Sequence, residues 1–218
     1  MSLDKNIKDV ITKLQKERLS FAIITGKYER EGALYEQKRN NIQPDLDIVF
    51  FDISKDQLHK KLLNCSLEHV NHNTYRYMGE NGSLLPIDIY IEFINTGYYY
   101  IFKIDVKNLK ISEGYNTISE NDYIVYQILE PLIKFSGYKK RHIYRIKQYM
   151  KDGYITTDIK QYLCRIIGCF FTNKLLESIK QGKTISGTTI KMIKVMLMFK
   201  HGNFFRMIKQ RVLKDESI

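Results

Sequence analysis

The stretch Pro44-Asp45-Leu46-Asp47-Ile48-Val49-Phe50-Phe51 places two acids one residue apart in a short apolar run. In an extended strand successive side chains point to opposite faces, so Asp45 and Asp47 share one face while Leu46, Ile48 and Phe50 share the other. One face suits cations and the other a core. Two carboxylates held side by side repel, and sharing a divalent cation relieves that repulsion. Hard oxygen ligands suit Mg²⁺ (or Mn²⁺), which keeps coordination positions for water and substrate phosphates. Taken alone, the same pair also fits a strand end whose acids face water, because motifs this short recur by chance.

Two neighbouring stretches add weight. Upstream, Ser20 to Thr25 is a buried-type strand that runs into Gly26-Lys27, a sharp exit where a backbone N–H can meet a phosphate. Downstream, Leu85 to Phe93 alternates, with Asp88, Tyr90 and Glu92 on one face and Ile87, Ile89, Ile91 and Phe93 on the other. Placed beside the Asp45 strand, Asp88 completes a three-carboxylate cluster.

A strand ending in glycine, then Asp-x-Asp, then a lone Asp on a later strand resembles the nucleotidyltransferase superfamily related to DNA polymerase beta. More narrowly, Ile23-Ile24-Thr25-Gly26-Lys27-Tyr28 followed by Asp45-Leu46-Asp47-Ile48-Val49 looks like the nucleotidyltransferases found among bacterial surface-polysaccharide genes. The likeness covers about residues 18 to 150. It departs at one point: many members have Gly-Ser or Gly-Gly where this chain has Gly26-Lys27, and the missing hydroxyl is the group that touches a nucleotide phosphate in those members. The resemblance implies a mixed-sheet core, Asp45, Asp47 and Asp88 as metal-binding and catalytic residues, and a nucleoside triphosphate as substrate. It also implies a hydroxyl acceptor such as a sugar or glycan intermediate of polysaccharide assembly.

Other cations are candidates for the phosphates. Lys27 and Arg39 flank the polar segment between the two strands, where the superfamily holds a helix N-terminus toward the nucleotide. Lys134, near the end of a helix expected over Glu120–Phe135, can reach toward a triphosphate or cap its own helix. Residue type does not separate phosphate-binding Lys and Arg from solvated ones.

Charge is unevenly spread. From Lys134 onward there are 19 Lys/Arg against 5 Asp/Glu, a net of +14, whereas the preceding residues carry 16 against 19. The C-terminal part is therefore the face for something anionic, whether nucleotide, nucleic acid, sugar phosphate or membrane surface. The densest basic run, Lys139 to Lys147, puts Arg141 and Arg145 on one helical stripe, a surface that grips phosphates without reading bases. An alternative reading follows: a catalytically degenerate nucleotidyltransferase fold that binds nucleic acid or another anionic partner through its basic half.

The three cysteines, Cys65, Cys164 and Cys169, form no disulfide framework and no C-x-x-C pair. With no secretory-type leader or bilayer-length apolar run legible, the expected location is cytoplasmic. His59, His69 and His72 lack the helical spacing of a zinc pair and read as surface or strand-partner histidines.

The remaining periodicities give an amphipathic helix over Leu3–Glu17, and a helix over Lys55–Leu63 capped by Ser54. Strands follow at Leu67–Asn71 and Tyr75–Met78, then a tyrosine-rich segment at Gly97–Ile104 that is a strand or a loop over the site. Pro131 predicts a kink or break in the Glu120–Phe135 helix. One long helix is expected over Thr157–Lys180, ended by Gly182, and two basic amphipathic helices over Thr188–Phe199 and Asn203–Leu213. The sum is an α+β protein, a mixed-sheet nucleotidyltransferase-like core over residues 1–136 followed by a basic helical bundle over 137–218.

Overall fold

The computed structural model describes residues 2–24, 45–80, 82–112, 114–150, 155–183 and 185–215. Two compact units divide the chain, Met1–Glu92 with Ile104–Ser119 and Phe93–Lys103 with Glu120–Ile218.

The first unit is built on a sheet. Ile7, Val10, Ile11 and Leu14 recur at helical spacing and are buried, which makes Ser2–Lys16 an amphipathic helix, α1. Strand β1 is Phe21–Ile23 and β2, the acid-bearing run, is Leu46–Phe50. Helix α2 (Lys55–Asn64) starts at Ser54, whose hydroxyl accepts from the Gln57 amide while the Gln57 side chain accepts from the Ser54 amide. This reciprocal box satisfies two amides that a helix start leaves open. Strands β3 (Glu68–Asn71), β4 (Thr74–Met78) and β5 (Leu84–Ile91) follow. The chain then leaves for a hairpin of the second unit, β6 (Phe93–Thr96) and β7 (Tyr99–Lys103), and returns to make β8 (Lys110–Ser112) and β9 (Tyr115–Thr117).

The strand order is β3-β4-β5-β2-β1-β9-β8. Pairs β2–β5 and β1–β9 are parallel and the others antiparallel, so the sheet is mixed. Leu46, Ile48 and Phe50 of β2 and Leu85, Ile87 and Ile89 of β5 supply one apolar face, which shares a buried cluster with Leu14 of α1 and Leu58 and Leu62 of α2. Each such side chain stabilises the fold by about 1.5–3 kcal/mol relative to exposure. The strand-and-helix run expected from the sequence is therefore present, and the α+β class holds.

The second unit pairs the β6–β7 hairpin with helices. These are α3 (Glu120–Phe135), α4 (Lys140–Gln148), α5 (Thr157–Ile167), α6 (Cys169–Gln181), α7 (Gly187–Met198) and α8 (Asn203–Asp215). Helix α3 is buried along most of its length and packs on α4, α5, α7 and β6. Buried Asp122 of α3 accepts from the Tyr162 hydroxyl of α5 at 2.9 Å, so its carboxylate is hydrogen-bonded within the unit. The compact units thus place α3 and the β6–β7 hairpin with the helices, whereas the division at 136/137 places both with the sheet.

Two expectations need correction. Of the kink or break expected at Pro131 the break is absent, since α3 continues across it, and in the turn before the proline the Tyr138 hydroxyl donates to the Ile128 carbonyl at 2.6 Å. The carbonyl that Pro131 deprives of its helical donor is that of Gln127, so the Tyr138 bond is an added tie on the neighbouring carbonyl. The single helix over Thr157–Lys180 is two, because Gly168 adopts φ 77° and ψ 148°, a conformation that ends α5 and starts α6. Gly182 caps α6 in the left-handed region, as its position after the last apolar residue predicts.

Candidate active site on the mixed sheet

The parallel pairing of β2 with β5 sets Asp47 directly opposite Asp88, with Leu46 opposite Ile87 and Ile48 opposite Ile89. Residues in register on neighbouring strands project from the same face, so the two carboxylates stand side by side and the flanking aliphatics turn to the core. Asp47 is 7% exposed and Asp88 half-buried, while Asp45, immediately before β2, is exposed. Exposure therefore rises from Asp47 through Asp88 to Asp45.

Each neighbour of this pair has a definite place. On the far side of Asp47, β1 continues past its last paired residue, and the Ile24 amide donates to the Asp47 carbonyl at 2.9 Å. On the far side of Asp88, β4 sets Thr74 in antiparallel register, and the Thr74 hydroxyl donates to a carboxylate oxygen of Asp88 at 2.8 Å. The Ile89 amide donates to the Asn73 carbonyl at 2.8 Å, which fixes the turn that carries Thr74. A row across three strands results: Asp47, Asp88, Thr74.

Asp47 and Asp88 supply two hard oxygen ligands, the number of carboxylates that Mg²⁺ commonly takes from a protein when phosphates and waters complete its shell. Among the described residues no group of three or more His, Cys, Asp or Glu is gathered closely enough to hold a metal. The three-carboxylate cluster expected from the sequence is thus reduced to the strand-paired Asp47 and Asp88, with Asp45 standing apart just before β2.

Gly26, Lys27 and Arg39 lie outside the described residues. Lys134 stands in the last turn of α3 in the second unit, where it pairs with Glu130 one turn earlier at 3.2 Å and lies 5.6 Å from the Phe135 ring centre. The tyrosine-rich segment is strand β7. There Tyr100 stacks on Phe93 with ring centres 4.8 Å apart, and the Arg206 guanidinium lies 3.5 Å from the Tyr100 ring centre. His59 and His69 pack around Tyr75, whose hydroxyl lies 2.7 Å from His59 Nδ1, and burial raises the Tyr75 phenol above its usual range. Thr74, just ahead of the strand expected from Tyr75, has no sequence signal that marks it; only the β4–β5 register brings it to Asp88.

No protein-family model matches this chain, and no curated protein matches it. Solved structures similar to it include the JHP933 protein of Helicobacter pylori, at a TM-score of 0.43 and 10% identity over 99% of this chain and 96% of that one. The antibiotic-resistance factor ANT(2'')-Ia is similar at a TM-score of 0.42 and 11% identity over 83% of this chain and 90% of that one. A protein of H. pylori provisionally classed as a nucleotidyltransferase is similar at a TM-score of 0.36 and 11% identity, over 94% and 95% of the two chains.

Proposed function

We propose that this protein is a metal-dependent nucleotidyltransferase, moving a nucleoside monophosphate from a nucleoside triphosphate to a hydroxyl acceptor. The observation that supports it most is the in-register pairing of Asp47 with Asp88 across parallel strands, with Thr74 holding the second carboxylate. Asp47 and Asp88 would hold Mg²⁺ between them, with substrate phosphates and water completing its shell, and Asp45, just ahead of β2, is a further candidate ligand. When bound, the ion neutralises phosphate charge and favours in-line displacement.

The chain's own groups have separate tasks. Asp47, sheltered at 7% exposure, keeps its carboxylate in one place on the strand. Asp88, oriented by Thr74, accepts the proton from the acceptor hydroxyl. That oxygen forms the new bond to the α-phosphorus as the bond to the bridging oxygen breaks and pyrophosphate leaves. Gly26, Lys27 and Arg39 are the candidates for phosphate contacts, with Lys134 a further one. The resemblance to polysaccharide-cluster enzymes makes a sugar or glycan hydroxyl the acceptor to test first.

The deciding experiment measures binding of a nonhydrolysable ATP or GTP analogue with and without Mg²⁺ or Mn²⁺, in the wild type and in Asp47→Asn. Binding that requires the metal and disappears in the variant is expected. Binding that is absent from both proteins, or indifferent to metal and to Asp47, sinks the mechanism.

A further inference from the structure

The last two helices leave an apolar surface uncovered. On α7 the buried side is Ile190, Ile193 and Leu197. On its other side Met192, Val195 and Phe199 recur at helical spacing and stand exposed, Phe199 at 69%. On α8 Phe205, Ile208 and Val212 repeat the pattern, with Phe205 at 75%.

Aromatic rings join the two stripes. Phe199 stacks on Phe204 with centres 5.8 Å apart and planes 19° from parallel, and Phe204 meets Phe205 edge-on at 5.8 Å. The junction is fixed in place by Asn203, which is buried. Its Nδ2 donates to the carbonyls of Leu197 at 2.8 Å and Tyr100 at 3.0 Å, and its Oδ1 accepts from the Tyr100 amide at 2.6 Å. The aromatic junction therefore links the end of the α7 stripe to the start of the α8 stripe at a set helical corner.

Charge along these two helices is predominantly positive. From Gly187 through Asp215 the sequence carries seven Lys/Arg against one acid, Asp215 at the far end of α8, and Lys191 and Lys209 stand exposed beside the apolar stripes. Nucleic acid would use the cations and gain nothing from Met192, Val195, Ile208 and Val212. An anionic bilayer uses both, taking rings and aliphatic groups into the headgroup–acyl boundary while cations meet the headgroups. No helix among the described residues is long and apolar enough to cross a membrane, so this mode lies on the surface.

We propose that the α7–α8 face docks this protein on anionic lipid bilayers, with Phe199 and Phe205 as inserted anchors and Lys191 and Lys209 as headgroup contacts. The proposal stands whether or not the sheet carboxylates act on nucleotides. The test is co-flotation of the full chain with vesicles of phosphatidylcholine alone or with 30% phosphatidylglycerol, at low and high salt, with sedimentation velocity and thermal melts alongside. The wild type is expected to float with the anionic vesicles, not with the neutral ones, and less at high salt. Phe199→Ser/Phe205→Ser and Lys191→Glu/Lys209→Glu should each lower the bound fraction about tenfold or more while the melting temperature holds. No flotation, equal flotation with neutral vesicles, or unchanged flotation of both folded variants overturns the proposal. So does a dimer abolished by Phe205→Ser in a protein that ignores vesicles, which would make the face a contact between copies.

Discussion

Thr74 donates its hydroxyl to Asp88 across 2.8 Å, from the strand on the opposite side of β5 from Asp47. The carboxylate is thereby anchored on one flank and faces its partner acid on the other. Thr74→Val keeps the shape and removes the donor. It should lower stability by about 1 kcal/mol in urea unfolding. If Asp88 serves transfer as proposed, it should also slow pyrophosphate release by about tenfold, an effect that Thr74→Ser restores.

Gly79 sits against the side chain of buried Asn6, whose Nδ2 donates to Ser83 Oγ at 2.8 Å. A Cβ at position 79 would lie 2.8 Å from Asn6 Cγ, so the buried amide that makes this hydrogen bond must shift. Gly79→Ala is expected to cost about 1–3 kcal/mol, read as a lower urea midpoint at unchanged slope.

Gly168 holds φ 77° and ψ 148° between α5 and α6, a backbone state close to glycine-only. Gly168→Ala should cost about 1–3 kcal/mol through strain alone, since nothing lies within 4 Å of the added carbon. A melt that is unchanged contradicts this account of the helix break.

Tyr77 donates to Asp9 at 2.6 Å, and this hydrogen bond, with burial, pushes its phenol up to about 12. The folded state then holds the phenolic proton more tightly than the unfolded chain. Stability from this contact is complete below about pH 10, the unfolded value, and is lost as pH rises through about 12. Alkaline unfolding of Tyr77→Phe should lack that part of the slope.

How much of this was legible beforehand depended on the range of the interaction that decides each element. Ser54 and Gln57 announce α2 because a capping box is local, and α1 announces itself by its repeat of Ile7, Val10, Ile11 and Leu14. Alternation around Asp47 and Asp88 placed both on strands, and their shared face was readable. Their register was not, because β2 and β5 meet only after α2, β3 and β4 intervene. The same reason hid Thr74. The short strands β8 and β9 escaped because three residues carry no period, and β9 is chosen by its long-range partner β1. The role of Gly168 is hidden because the apolar repeat continues on both sides of it; the break is a backbone event that side-chain spacing does not record.

The pairing of Ile23 on β1 with Thr117 on β9 also governs how the protein can be made. A ribosome must synthesise the whole β6–β7 excursion, which belongs to the other unit, before the first unit owns its final strands. The early sheet edge at β1 thus waits unpaired during synthesis, a species prone to self-association. Neither unit can be excised by a single cut, because the chain crosses between them three times. Expression of a fragment ending near Glu92 is therefore expected to yield aggregate, and insertion of a reporter is best directed away from Phe93 to Ser119.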